Sequence, residues 1–154
     1  MKEIKRILFP YDLSENAPKI LPYVLSISEA YNSTIYLLHV VPELQKWAKE
    51  YVSHTSPYAS LDMFQKEALE GAEKAMDRVC EEQLEGRTNL ERRIVSGDPA
   101  TEILKTIESE DIDLVIMGTH GRKGLEHVIF GSVAENVVKK SSAPVMTVNP
   151  YKLK

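Results

Sequence analysis

The chain has 154 residues, of which 43% are hydrophobic and 27% charged, with a formal net charge of −4. This composition predicts one globular domain over residues 1–154 and argues against a general nucleic-acid binder, which would carry a basic surface. No apolar run approaches the roughly 20 residues that span a bilayer, and Cys80 has no second cysteine to pair with. We therefore expect a cytoplasmic protein that binds neither membranes nor nucleic acid.

In the first half of the chain, short apolar runs alternate with amphipathic segments. The pattern predicts strands at 6–9 and 34–41 and helices at about 14–31 and 61–84. The second strand is almost continuously apolar, which is typical of a strand covered on both faces in a parallel sheet. Pro18 and Pro22 lie in the first helix, where each removes a backbone donor and bends the helix or delays its start.

Residues 42–60 are less regular. Their ring-bearing side chains are Trp47, Tyr51, His54 and Tyr58. We interpret Trp47, Tyr51 and Tyr58 as local packing or a cover over a pocket rather than as a stacking platform.

The second half predicts strands at 90–95, 113–117 and 144–148 and helices at about 99–110 and 132–140. Asp98 followed by Pro99 is typical of a helix N-cap and first turn. Alternating strands and helices predict an α/β fold: an open five-stranded parallel sheet with helices on both faces. If the strand order is 3-2-1-4-5, ligands bind where that order reverses, between the carboxyl ends of strands one and four.

Three spaced glycines occur at that place. Gly118 and Gly121 follow the fourth strand, and Gly131 with Ser132 precedes the fourth helix. Glycine lets backbone N–H groups approach an anion, and a helix start adds unpaired donors, so the pattern favours a phosphate site. The alternatives are a loop with turn glycines and, for Ser132, a capping box with Glu135.

Other residues at the same edge have two interpretations each. Asp12 is either a turn-former or a carboxylate that contacts ribose or a metal-bound phosphate. Backbone groups at His39 and Val40 are suited to reading an adenine edge, whereas the His39 side chain fits the core. The charged or titratable side chains that either screen phosphates or lie in solvent are His120, Arg122 and Lys123.

Several ligand classes lack their motifs. The sequence has no P-loop lysine motif, no G-x-G-x-x-G after the first strand, no G-x-S-x-G elbow and no paired-cysteine or His-Glu-x-x-His metal site. A phosphoacceptor domain would need an acidic pair where Tyr11 precedes Asp12.

These residues together resemble the universal stress protein family along essentially the whole chain. Gly118, Gly121, Gly131 and Ser132 match the glycine spacing of its nucleotide-binding form. The segments 7–14, 37–40 and 141–145 resemble its opening strand and turn, the end of its second strand and the approach to its last strand.

The resemblance implies a Rossmann-like fold that binds ATP, with Mg or Mn held mainly by the phosphates. By position, the residues around adenine and ribose would be Pro10, Asp12 and Val40. Those along ribose and phosphates would be Met117, Gly118, His120, Gly121, Gly131, Ser132 and Val133.

The expected function is an ATP-binding stress-response regulator that changes shape or partner with nucleotide. The alternatives are a slow ATP hydrolase or phosphotransfer protein and a dimeric interaction module without ATP. Efficient catalysis is disfavoured because no base, arginine finger and metal carboxylate are evident together. An apolar edge strand at 144–148 and the resemblance both predict a homodimer through that strand, and the protein partner is not identified by the sequence.

Overall fold

The computed structural model describes residues 2–46, 58–121 and 130–153. Its strands are β1 (Arg6–Pro10), β2 (Thr34–Val41), β3 (Leu90–Ser96), β4 (Leu114–Gly118) and β5 (Val145–Val148). Its long helices are α1 (Ala17–Tyr31), α2 (Tyr58–Gln83), α3 (Pro99–Ser109) and α4 (Ser132–Lys140). The described residues exclude Trp47, Tyr51, His54, Arg122, Lys123 and the side chain of Tyr58.

The five strands form one parallel sheet in the order β3-β2-β1-β4-β5, which confirms the predicted topology. The order reverses at β1, because the chain adds β2 and β3 on one side and then β4 and β5 on the other. The β1–β2 ladder ends where Pro10 lies opposite Leu38. Beyond that pair, residues at the carboxyl ends of β1, β2 and β4 line a common cavity.

The sheet is covered on both faces, as its near-continuous apolar strands predicted. Ile7 and Phe9 of β1 pack toward α1 and α2, while Leu8 between them packs toward α3 and α4. All three side chains are fully buried. Since burying one such side chain contributes about 1.5–3 kcal/mol, this alternation holds the helices on their faces.

The helix starts differ from the predictions in two cases. Helix α1 begins at Ala17 rather than Ser14, so that Pro18 lies in the first turn, where a backbone N–H would be unpaired anyway. Pro22 remains inside the helix. Helix α2 begins three residues earlier than predicted, at Tyr58.

The cap of α3 is as predicted, whereas the capping box of α4 is wrong. Asp98 accepts a hydrogen bond from the Thr101 N–H at 2.9 Å. In α4 the N-cap is Gly131, and Ser132 is the first helical residue, so its hydroxyl lies too far along the helix to cap it. Glu135 pairs instead with Lys139, at 2.6 Å.

Candidate functional site

A cavity of about 440 Å³ opens at the carboxyl edge of the sheet. This volume is within the range of roughly 300–1,000 Å³ that is usual for small-molecule sites. All ten residues predicted from the sequence as site residues line it: Pro10, Asp12, Val40, Met117, Gly118, His120, Gly121, Gly131, Ser132 and Val133. The fold therefore brings together, in one concave place, residues spread over more than 120 positions of the sequence.

The backbone of Val40 faces this cavity side of β2. Successive residues of a strand direct their N–H and C=O groups to opposite sides, so every second residue faces the same neighbouring strand. The Leu38 carbonyl faces β1, where it accepts from the Tyr11 N–H at 2.7 Å. Val40, two residues later, faces the same side. Because the β1–β2 ladder has ended by then, its adjacent N–H and C=O have no ladder partner on the β1 side, although Val40 stays in register with Val95 of β3.

Asp12 forms the turn between β1 and α1. Its Oδ1 accepts a hydrogen bond from the Ser14 N–H at 2.9 Å, and Leu13 between them adopts a left-handed φ of 59°. A left-handed conformation at leucine costs roughly 1–2 kcal/mol. The turn-forming interpretation of Asp12 is thus correct for one oxygen, while the exposed carboxylate still lines the cavity.

The glycines make room for neighbouring protein groups. A Cβ on Gly121 would collide with the Asp12 carboxylate, and one on Gly131 would lie 3.2 Å from the Thr119 carbonyl oxygen. Gly131 has a φ of −69°, an ordinary value. The requirement for glycine at these two positions is therefore steric, and at Gly131 it does not arise from a left-handed backbone.

The start of α4 supplies the electrostatic feature of the cavity. Gly131, Ser132, Val133 and Ala134 all line it, and no side chain in the described part of the chain caps this helix. The first amides of a helix have no intrahelical acceptor, and the helix dipole adds about half a positive charge there. An anionic group fits this end of the cavity.

Tyr11 and His39 support the other end. The Tyr11 ring is buried edge-on against Phe9, and burial raises the pKa of its hydroxyl, while a hydrogen bond with Gln83 opposes the shift. His39 Nδ1 lies 2.7 Å from the Tyr11 carbonyl oxygen. A carbonyl can only accept, so Nδ1 carries the proton. His39 therefore ties β2 to the start of the Asp12 turn.

His120 is buried rather than displayed in solvent. It is 3% exposed, its Nδ1 lies 2.7 Å from the Thr119 hydroxyl, and its ring packs against Tyr151. Thr119 in turn bonds to β5, through its N–H and the Val148 carbonyl at 2.9 Å. Residues 118–121, called the glycine segment below, are thus fixed to β5 and to the chain that follows it.

Asn16 is a residue that sequence reasoning missed. It is completely buried, and its side-chain amide donates to the Gly121 carbonyl at 2.8 Å. An asparagine just before a helix is typical of an N-cap. Nothing in the sequence indicates its contact with Gly121, 105 positions away. Among the described residues, no group of three His, Cys, Asp or Glu side chains is placed to hold a metal ion.

The comparisons with known proteins agree with this architecture. The model of the universal stress protein family matches residues 3–149. The universal stress protein MJ0577 of Methanocaldococcus jannaschii is 34% identical over 94% of each chain, and its solved structure superposes with a TM-score of 0.79, covering 96% of this chain and 97% of that one. The MJ0531 protein of the same organism is 27% identical over 96% of this chain and 84% of its own.

Two further solved structures share the fold at lower identity. Universal stress protein UspA of Lactobacillus plantarum is 21% identical, with a TM-score of 0.79 over 97% of this chain and 100% of its own. A universal stress protein solved in complex with cAMP is 18% identical, with a TM-score of 0.59 over 97% and 99%. From the family model and the M. jannaschii relative, we conclude that this chain belongs to the universal stress protein family.

Proposed function

We propose that this chain is an ATP-binding regulatory protein of the stress response that acts through nucleotide-dependent changes in conformation or partner binding. One observation carries the proposal: the start of α4, which no described side chain caps, and the backbone N–H and C=O of Val40 beyond the end of the β1–β2 ladder line one cavity. The first suits an anion and the second suits a base, so the cavity matches the two ends of a nucleotide.

Adenine fits the Val40 end better than guanine does. The adjacent N–H and C=O of Val40 match the N1 acceptor and the N6 amino donor of adenine. In the same orientation, guanine would place its O6 acceptor against the Val40 C=O and its N1–H donor against the Val40 N–H. Pro10 lines the same end and adds an apolar surface to it.

Ribose and phosphates would extend from there across the glycines. Asp12 keeps one carboxylate oxygen free of the Ser14 hydrogen bond and is suited to accept from a ribose hydroxyl. The phosphates would meet the amides of Ser132 and Val133, because the Gly131 N–H already donates to the Thr119 carbonyl at 2.7 Å. No lysine or arginine occurs among the described lining residues, so Mg²⁺ or Mn²⁺ held mainly by the phosphates would complete the charge balance.

That lining also supports a regulatory role over efficient catalysis. Phosphoryl transfer depends on cationic groups and metal carboxylates that stabilise the developing charge. Neither the described lining nor the Asp12 turn offers such a set. We expect any ATP turnover to be slow, and a single-turnover assay distinguishes a binding protein from the alternative of a slow hydrolase or phosphotransfer protein.

The position of β5 at one edge of the sheet supports the proposed homodimer. Pro144 accepts from the Val115 N–H and Val148 accepts from the Thr119 N–H, so even-numbered residues face β4. Val145 and Thr147 therefore direct N–H and C=O away from the sheet.

In the described residues, no helix is both long and apolar enough to cross a membrane. A cytoplasmic location of the dimer remains our proposal.

The binding test is calorimetric titration of the protein with ATP, GTP and cAMP in the presence of Mg²⁺. We expect saturable ATP binding that is weakened at least about tenfold, or 1.4 kcal/mol, in Gly131→Val. Gly71→Val is the matched control, because a side chain at Gly71 on α2 would enter open space. Equal ATP affinity in both variants would show that the α4 end of the cavity does not hold the phosphates.

A further inference from the structure

The buried side chain of Asn16 contacts the segment that follows β4. It lies just before α1, is 0% exposed and makes three polar contacts. Its Nδ2 donates to the Gly121 carbonyl at 2.8 Å and to the Tyr151 hydroxyl at 3.2 Å, and its Oδ1 accepts from Lys19 Nζ at 3.0 Å. Both amide hydrogens and the carbonyl oxygen are thus in use.

This set of partners permits one orientation of the amide. A carbonyl oxygen cannot donate, so the group facing Gly121 is the NH₂. An ammonium cannot accept, so the group facing Lys19 is the oxygen. Asn16 therefore connects three segments that are distant in sequence: the turn before α1, the glycine segment after β4 and the chain after β5. We call Asn16 with these hydrogen bonds the connector.

The contact with Gly121 determines which way its peptide group faces. Gly121 lines the cavity, whereas Asn16 is not among the residues that do so. The Gly121 carbonyl is consequently drawn to a donor outside the cavity lining. A carbonyl oxygen turned toward a phosphate would repel it, so this hydrogen bond removes an unfavourable group from the anion's surroundings.

Tyr151 holds the connector from the other side. Its hydroxyl accepts from Asn16, its ring packs edge-on against His120 with centroids 5.4 Å apart, and Lys19 Nζ lies 5.9 Å from the ring centre. His120 and Gly121 both line the cavity. The segment after β5 thereby reaches two consecutive positions of the glycine segment.

We infer that Asn16 and Tyr151 are positioning residues that hold Gly121 and His120 in the arrangement that accepts the phosphates of a nucleotide. The inference rests on the proposed function, and it assigns part of phosphate recognition to residues outside the glycine motif. Loss of the Asn16 contacts is expected to weaken the binding of ligands that carry phosphates and to leave the contacts with base and ribose intact.

The experiment compares ATP with adenosine, which lacks phosphates, by calorimetry of the parent, Asn16→Ala and Tyr151→Phe. We expect ATP to bind about fivefold or more weakly to Asn16→Ala, the equivalent of one lost buried hydrogen bond, with adenosine within about twofold of the parent. Tyr151→Phe keeps the ring and removes one acceptor, so we expect a smaller loss in the same direction.

Ser28→Ala is the matched control. Ser28 is also 0% exposed and hydrogen bonded, to the Ser33 carbonyl at 2.8 Å, but it lies at the amino edge of the sheet. We expect it to lower stability without changing either affinity. An ATP affinity equal to the parent's in Asn16→Ala, or an equal loss of ATP and adenosine, would overturn the positioning role.

Two further outcomes are distinguishable from these. If Asn16→Ala does not fold, Tyr151→Phe decides, and unchanged ATP binding in that variant contradicts the inference. If the parent binds neither ATP nor adenosine, the proposed function itself is wrong and the positioning role falls with it.

Discussion

The contact between Gly121 and Asp12 yields a quantitative prediction. A Cβ at position 121 would overlap the Asp12 carboxylate, so in Gly121→Ala that carboxylate must rotate away. Rotation breaks the 2.9 Å hydrogen bond from the Ser14 N–H, which is worth about 1 kcal/mol. We therefore expect Gly121→Ala to lower the free energy of unfolding by about 1 kcal/mol beyond any other effect of the new methyl group.

A double-mutant cycle isolates this cost. Asp12→Ala removes the carboxylate, so adding the methyl group at Gly121 no longer displaces anything. We expect Gly121→Ala to be less destabilising by about 1 kcal/mol in the Asp12→Ala background than in the parent. The assay is urea unfolding of the four proteins, monitored by circular dichroism at one protein concentration.

Additive effects of the two substitutions would contradict this prediction. If Gly121→Ala costs the same in both backgrounds, within about 0.5 kcal/mol, the two groups do not compete for space. A change in the dependence of unfolding on urea, rather than in its midpoint, would instead indicate an altered unfolded state.

Three more substitutions test the α3 cap, the sheet edge and the carboxylate of Asp12. Hydrogen bonds from the Thr101 side chain and backbone hold the pKa of Asp98 below its ordinary value of 3.8. The ionised carboxylate therefore stabilises the fold fully above that value, and this stabilisation is lost as the pH falls through the lower folded-state pKa. The difference in unfolding free energy between the parent and Asp98→Asn, measured by urea unfolding, should narrow on acidification, and a difference that widens contradicts this. Thr147→Pro removes an outward-facing N–H of β5 and should weaken the dimer in light scattering, whereas Thr147→Val should not; equal dimerisation of both variants would exclude this edge as the interface. Asp12→Asn keeps the Ser14 hydrogen bond and loses the charge, so calorimetry should show weaker ATP binding at unchanged stability, and an unchanged affinity would leave Asp12 a turn residue alone.

The fold was predictable because its determinants are periodic and local. The apolar run of β2 and the alternation of strands and helices lead to a parallel sheet, and the switch point then follows from the strand order. The Asp98 cap is likewise a contact between residues three positions apart. Such features can be recognised in the sequence before any distant contact is known.

The parts of the site that could not be predicted depend on distant contacts. Asn16 meets Gly121 and Tyr151 across 105 and 135 positions, and no local pattern marks those pairs. The left-handed φ of Leu13 conflicts with its residue type. The capping box failed because Ser132 and Glu135 have the correct spacing, but the helix begins one residue earlier than that motif requires, at Ser132 itself.

The central claim is that an adenine nucleotide binds at the carboxyl edge with its base on Val40. The most direct measurement is two-dimensional ¹⁵N NMR of the protein titrated with ATP and with adenosine. We expect saturable shifts of the Val40 amide with both ligands, and shifts of the Ser132 and Val133 amides with ATP far more than with adenosine. Saturable shifts confined to residues outside the cavity, or no shifts with either ligand, would contradict it.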